Sequence, residues 1–166
     1  MYQLLDAEKY SFVTNKDKEF ITGIDSALKE LGYENEGIKP YVCWGKYMIA
    51  YSKAGRKTKN YVCRFYFRDD CVIFRLYFKN IDDHRNYIEN APDFMKAAFI
   101  NDVGKCQHCD NNCKDAEDNC SHRKTYTIDG IVYEKCDGQV FLFFDHELEN
   151  IPKYIELFQE FYPKKK

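Results

Sequence analysis

Residues 61–79 read Tyr61-Val62-Cys63-Arg64-Phe65-Tyr66-Phe67-Arg68-Asp69-Asp70-Cys71-Val72-Ile73-Phe74-Arg75-Leu76-Tyr77-Phe78-Lys79. Two β-prone runs flank a polar Asp-Asp pair, which predicts a hairpin with strands over 61–68 and 71–79. Side chains alternate across a strand. Cys63, Phe65 and Phe67 therefore share a face, as do Val72, Phe74, Leu76 and Phe78. Arg64, Tyr66, Arg68, Arg75, Tyr77 and Lys79 fall on the opposite face, as expected of an antiparallel sheet with one apolar side.

Outward from this hairpin, the N-terminal side predicts a helix over 15–31. Thr14 is its cap, with Asp17 as capping-box partner. Phe20, Ile21, Ile24, Ala27, Leu28 and Leu31 form one helical stripe, and Gly32 suits a left-handed end. A first strand is expected within 41–52, followed by a basic loop over 53–60 that contains Gly55. On the C-terminal side, Asn80 is the expected cap of a helix over 81–90, and Pro92 opens a second helical piece to Ile100. Strands are expected over 124–128, 131–136 and 140–144, turning at Asp129-Gly130 and Asp137-Gly138. A last helix runs over 150–162 and stops at Pro163. The order is helix, three strands, helix, cysteine insert, two to three strands, helix. It predicts a single α+β domain over 1–166, an antiparallel sheet with helices on one face.

Composition fits that reading. The 166 residues carry 45% hydrophobic side chains, including 14 Tyr and 13 Phe, enough to build a packed core. Asp6, Glu8 and Lys9 interrupt any apolar leader, and no run reaches the length of a membrane span. The expected location is cytoplasmic, where thiols stay reduced, so the eight cysteines point to metal or burial rather than disulfides.

Within a cysteine-rich insert and hairpin over 104–136, Cys106-x2-Cys109-x3-Cys113-x6-Cys120 offers four soft ligands close in sequence. That set suits tetrahedral zinc. Cys136 and His122 are alternative ligands, Cys136 because it ends a strand beside a turn. The residues between are polar, so a metal would offset the entropy of ordering them. Four protein ligands close the shell, which makes the expected zinc structural.

Cys43, Cys63 and Cys71 sit on strand patterns and are expected to be buried or half-buried. Trp44 is expected in the core or at a sheet edge, and Gly45 at a bulge or close approach. No nucleophile elbow, phosphate-binding loop or dinucleotide fingerprint is present, and neither His84 nor His146 is assigned a catalytic role. The expected function is non-enzymatic binding of a small anionic ligand or a protein partner through Arg64, Tyr66, Arg68, Arg75 and Tyr77. A thiol or metal sensor using Cys106 to Cys136 is the alternative. Nucleic-acid binding comes third, because a net charge of −2 supplies no global attraction.

The order of elements, with Trp44-Gly45-Lys46 opening the first sheet, resembles the secretion-chaperone-like fold and within it the YjbR-like bacterial proteins. The resemblance covers about residues 15–162 and implies an α+β fold without a shared catalytic motif. The cysteine insert departs from that pattern.

Overall fold

Thr14 starts the first long helix as its sequence demands. Its hydroxyl accepts from the Asp17 amide at 3.1 Å and donates to the Asp17 carboxylate at 2.7 Å. In the computed structural model, which describes residues 1–101, 123–136 and 140–163, a short helix α1 (Tyr2–Leu5) precedes this helix, α2 (Asn15–Glu30). Gly32 ends it at φ +80°, a conformation open to glycine at little cost.

Three strands follow: β1 (Tyr33–Asn35), β2 (Lys39–Pro40) and β3 (Tyr47–Lys53). Only β3 overlaps the strand expected within 41–52, and it runs one residue past it. β1 and β2 are too short to show alternation, and both pair antiparallel with β3, at Tyr51–Lys53 and Tyr47–Met48 respectively. The central hairpin comprises β4 (Tyr61–Phe67) and β5 (Val72–Tyr77). β3 pairs antiparallel with β4, setting Ile49 opposite Phe65 and Tyr51 opposite Cys63.

Asn80 sits at φ +54° and makes no side-chain cap, contrary to expectation. A 3-10 turn over Ile81–His84 takes the place of the helix start, leaving α3 only Arg85–Glu89. Next come α4 (Asp93–Ile100), β6 (Arg123–Ile128), β7 (Ile131–Cys136), β8 (Val140–Phe143) and α5 (Ile151–Phe161). Asp129 and Gly130 both have positive φ, +50° and +75°, as a two-residue hairpin turn requires. The main sheet has the order β1-β3-β4-β5-β8, with β2 also on β3, and β6-β7 is a separate two-stranded ribbon. The fold is one α+β domain, and its packing groups into two compact units, 1–75 with 143–166 and 76–142.

In the first unit α2 and α5 cover the apolar sheet face. The Phe20 ring meets Phe65 at 6.2 Å, Phe74 at 5.9 Å and Tyr154 at 5.6 Å, with Phe65 stacked on Phe74 at 4.8 Å. In the second unit Phe99 packs on Phe141 at 4.4 Å, and the Tyr126 hydroxyl donates to the Phe99 carbonyl. The buried Lys135 ammonium donates to the Ala98 carbonyl at 2.6 Å and to Asn101 Oδ1 at 3.3 Å, capping the C-terminal end of α4. No described helix is long and apolar enough to cross a membrane.

Candidate functional site

The Arg/Tyr face of the central hairpin is partly covered by its own chain. Tyr66 is 0% exposed and Arg75 only 7%. The Arg75 guanidinium lies 4.8 Å from the Trp44 ring centroid and 5.6 Å from that of Tyr66, and donates to the Tyr66 hydroxyl at 3.0 Å. Tyr41 packs on Tyr66 at 5.4 Å, and Arg64 donates to the same hydroxyl at 3.3 Å. Trp44 thus closes over an arginine, a cation–π arrangement that gains strength as it loses water. Gly45 makes this possible, because a Cβ there would sit 2.5 Å from the Phe67 carbonyl oxygen. Of the other expected face residues, Arg68 is exposed and pairs with Asp70, and Tyr77 is half-buried. Among the remaining thiols, Cys63 is buried and Cys71 half-buried, but Cys43 is exposed beside Trp44 rather than packed. It lies in the covering loop before β3, outside the strand its sequence suggested.

An open concavity in the first unit lies elsewhere. A cleft of about 1180 Å³ is bounded by the end of α2, the basic loop and the end of α5. Its apolar wall is Leu31, Tyr33, Val62, Phe161 and Tyr162, and its rim carries Lys53, Arg56, Lys57, Thr58 and Asn60. The cations are not equivalent. Lys53 packs its ammonium 4.8 Å from the Tyr33 ring centroid and 3.4 Å from the Leu31 carbonyl, at the negative end of α2. Lys59 is neutralised by Glu36 at 3.1 Å and Glu34 at 3.7 Å. Arg56 and Lys57 are exposed and have no carboxylate partner among the described residues.

The aromatic wall is preorganised. Tyr33 meets Phe158 edge-on at 5.1 Å and Tyr162 stacks on the same ring at 4.9 Å. Burial, with the nearby Cys63 thiol, lifts the Tyr33 phenol above its ordinary pKa. Burial does the same for Tyr162, followed by Tyr33 and Cys63. Both hydroxyls therefore stay neutral at physiological pH and do not cancel the rim's positive charge. The basic loop was legible in the sequence; its aromatic wall was not, since Tyr33 and Tyr162 are far apart along the chain.

His146, assigned no catalytic role from the sequence, does not lie at the surface. It is instead 5% exposed, stacked on Phe20 at 4.7 Å, with Nδ1 2.6 Å from Asp17 Oδ1. The apolar Phe20 ring buries the imidazole, and Asp17, the capping-box partner in the first turn of α2, receives it. Neighbouring Lys16 pairs with Glu147, so two contacts tie the α2 N-terminus to the segment before α5. Burial raises the Asp17 pKa, but bonds to His146 and Thr14, then the charges of His146 and Lys16, outweigh it and the net shift is downward. A carboxyl lowered on folding stabilises the native state above its unfolded pKa, near 3.9, and loses that contribution as pH falls through the lower folded value. The expected result is that Asp17→Asn flattens the loss of stability below about pH 4, as measured by urea unfolding at stepped pH. An unchanged acid slope would remove this role.

Cys106, Cys109, Cys113, Cys120 and His122 lie outside the described residues, as does the Cys136 side chain. The β6–β7 register does place the Cys136 backbone opposite Arg123, the first described residue after that segment. The segment also begins just past Asn101, which Lys135 holds. Among the described residues no group of His, Cys, Asp or Glu could hold a metal ion. Comparison with protein families, curated proteins and solved structures finds no match for this chain.

Proposed function

We propose that this chain is a non-enzymatic binding protein that takes a small anionic ligand in the cleft between the basic loop and the end of α5. The observation that carries the reading is that Arg56 and Lys57 rim an aromatic-walled cleft without a carboxylate partner among the described residues. Small-molecule sites are concave, mostly apolar, and carry a few convergent polar groups. The neutral phenols of Tyr33 and Tyr162 leave the positive charge of the rim uncancelled. The cleft is favoured over the Arg64, Tyr66, Arg68, Arg75 and Tyr77 face because Tyr66 and Arg75 are engaged with each other and with Trp44. Pyrophosphate is expected to raise the melting temperature of the native chain, and the Arg56→Ala/Lys57→Ala double variant to lose that rise while melting normally without ligand. Equal stabilisation of both proteins would remove the cleft from the account.

Independently of the cleft, we propose a structural zinc ion held by Cys106, Cys109, Cys113 and Cys120, with Cys136 or His122 as substitute ligands. Ligand chemistry and spacing support it, as does the polar composition of the segment, which has no apolar means of ordering itself. Purified protein is expected to contain one zinc per chain. Chelation and Cys109→Ser should lower the melting temperature to the same extent. Metal-free protein whose stability ignores Cys109→Ser would end the proposal.

A further inference from the structure

We infer that the ligand of the cleft is a phosphorylated aromatic compound, of the chemical class of a nucleoside monophosphate. This inference rests on the anion-binding reading of the same cleft and adds what occupies its apolar half. The two halves make different demands. On the rim, Arg56 offers a planar, forked set of donors and Lys57 a point charge, which together suit phosphoryl oxygens better than a single carboxylate.

The wall would be poorly used by a bare inorganic anion. Tyr33, Phe161 and Tyr162 bring three aromatic side chains to the lining of the cleft, and Leu31 and Val62 extend the apolar surface. Phe158 braces Tyr33 and Tyr162 from behind, so the rings are held rather than gathered on binding. A flat π-system stacks on such a wall whatever its exact substituents, gaining about 1–3 kcal/mol per base, or about five- to 150-fold in affinity. Thr58 and Asn60 supply a hydroxyl and an amide at the same rim, which fit the hydrogen-bonding edges of a heterocycle or sugar.

Charge along the chain agrees. Arg56 and Lys57 lie in one short loop with Lys53 and Lys59 close by in sequence. The basic loop therefore gathers positive charge at the cleft in a chain whose net charge is −2. Local charge of one sign against an overall opposite balance is what concentrates an anionic ligand at a site.

The test is equilibrium dialysis of the full chain against AMP, ribose 5-phosphate and adenosine at one moderate salt concentration. AMP is expected to bind about tenfold or more tighter than either fragment, with the Arg56→Ala/Lys57→Ala double variant losing at least about tenfold in AMP affinity. Tyr162→Leu should weaken AMP while leaving ribose 5-phosphate unchanged; if that variant does not fold, the comparison of AMP with ribose 5-phosphate on the native chain decides alone. Ribose 5-phosphate binding as tightly as AMP, and lost in the double variant, would overturn the aromatic class while leaving the anion site standing. Absence of binding by both phosphorylated probes would overturn the site with it. A short single-stranded RNA binding far tighter than AMP would overturn the small-molecule class.

Discussion

Replacing Asp25 by alanine is expected to cost about 3 kcal/mol of folding stability. Asp25 sits mid-way along α2 and is 2% exposed. Its Oδ1 accepts from the Tyr51 hydroxyl at 3.0 Å and from Asn35 Nδ2 at 2.8 Å, and its Oδ2 from the Lys29 ammonium at 2.7 Å. These bonds join α2 to β1 and β3, so one side chain fixes a helix against a sheet edge. Their contributions differ. The Lys29 side chain is half-exposed, so water screens that end of its pair with Asp25 and the pair contributes less than the buried bonds. Tyr51 is wholly buried, so losing its acceptor strands a hydroxyl where no water reaches. Burial first, then the Asp25 charge, push its phenol well above the ordinary tyrosine pKa, so the hydroxyl remains a donor at any pH the protein meets. Tyr51→Phe removes one of three donors and should cost only about 1 kcal/mol. Urea unfolding with an unchanged m-value is the measurement. A loss below about 1 kcal/mol for Asp25→Ala would show that the network contributes specificity rather than stability.

Phe20→Ala should cost still more, about 4 kcal/mol. Phe20 is fully buried and its ring touches the rings of Phe65, Phe74, Tyr154 and His146. The neighbours come from β4, β5, α5 and the loop before α5, and they brace each other, with Phe74 meeting Tyr154 at 5.5 Å and Phe143 at 6.1 Å. Rings braced this way cannot collapse into the space left by a missing one, which is why a large cavity term adds to the lost transfer energy. Phe20→Leu should recover more than half of the loss, because it restores most of the volume. Thermal and urea unfolding of the two variants check this; equal losses would mean that ring-on-ring geometry outweighs volume.

Much of the fold was legible because two local signals are strong in this chain. Period-two alternation gave β4 and β5 to within a residue or two, and the capping pair at Thr14 and Asp17 gave the start of α2. Asp129-Gly130 gave the β6–β7 hairpin, since only a few residues tolerate two successive positive φ angles. What escaped was short or decided by tertiary contact. β1 and β2 have three and two residues, too few for a period. Asn80 looked like a cap because its side chain can accept, but the chain takes it left-handed and turns through a 3-10 segment instead. Alternation put Arg64, Tyr66 and Arg75 on one face, and they do meet, yet it says nothing about what lies over them. The loop carrying Trp44 covers them because Gly45 lets the backbone approach Phe67. The cleft combines a loop visible in sequence with aromatic residues brought from β1 and the end of α5, and distance along the chain hid the combination. His146 escaped for the same reason, its partner Asp17 lying 129 residues away.

The central claim is that a small anion binds at the basic aromatic cleft. It is tested most directly by following backbone amide resonances of the isotope-labelled chain while pyrophosphate is added. The account predicts saturable shifts concentrated at Gly55, Arg56, Lys57, Thr58 and Asn60, and at Tyr162 on the facing wall. Shifts gathered instead around Arg64, Arg68 and Trp44, or no saturable shifts at all, would contradict it.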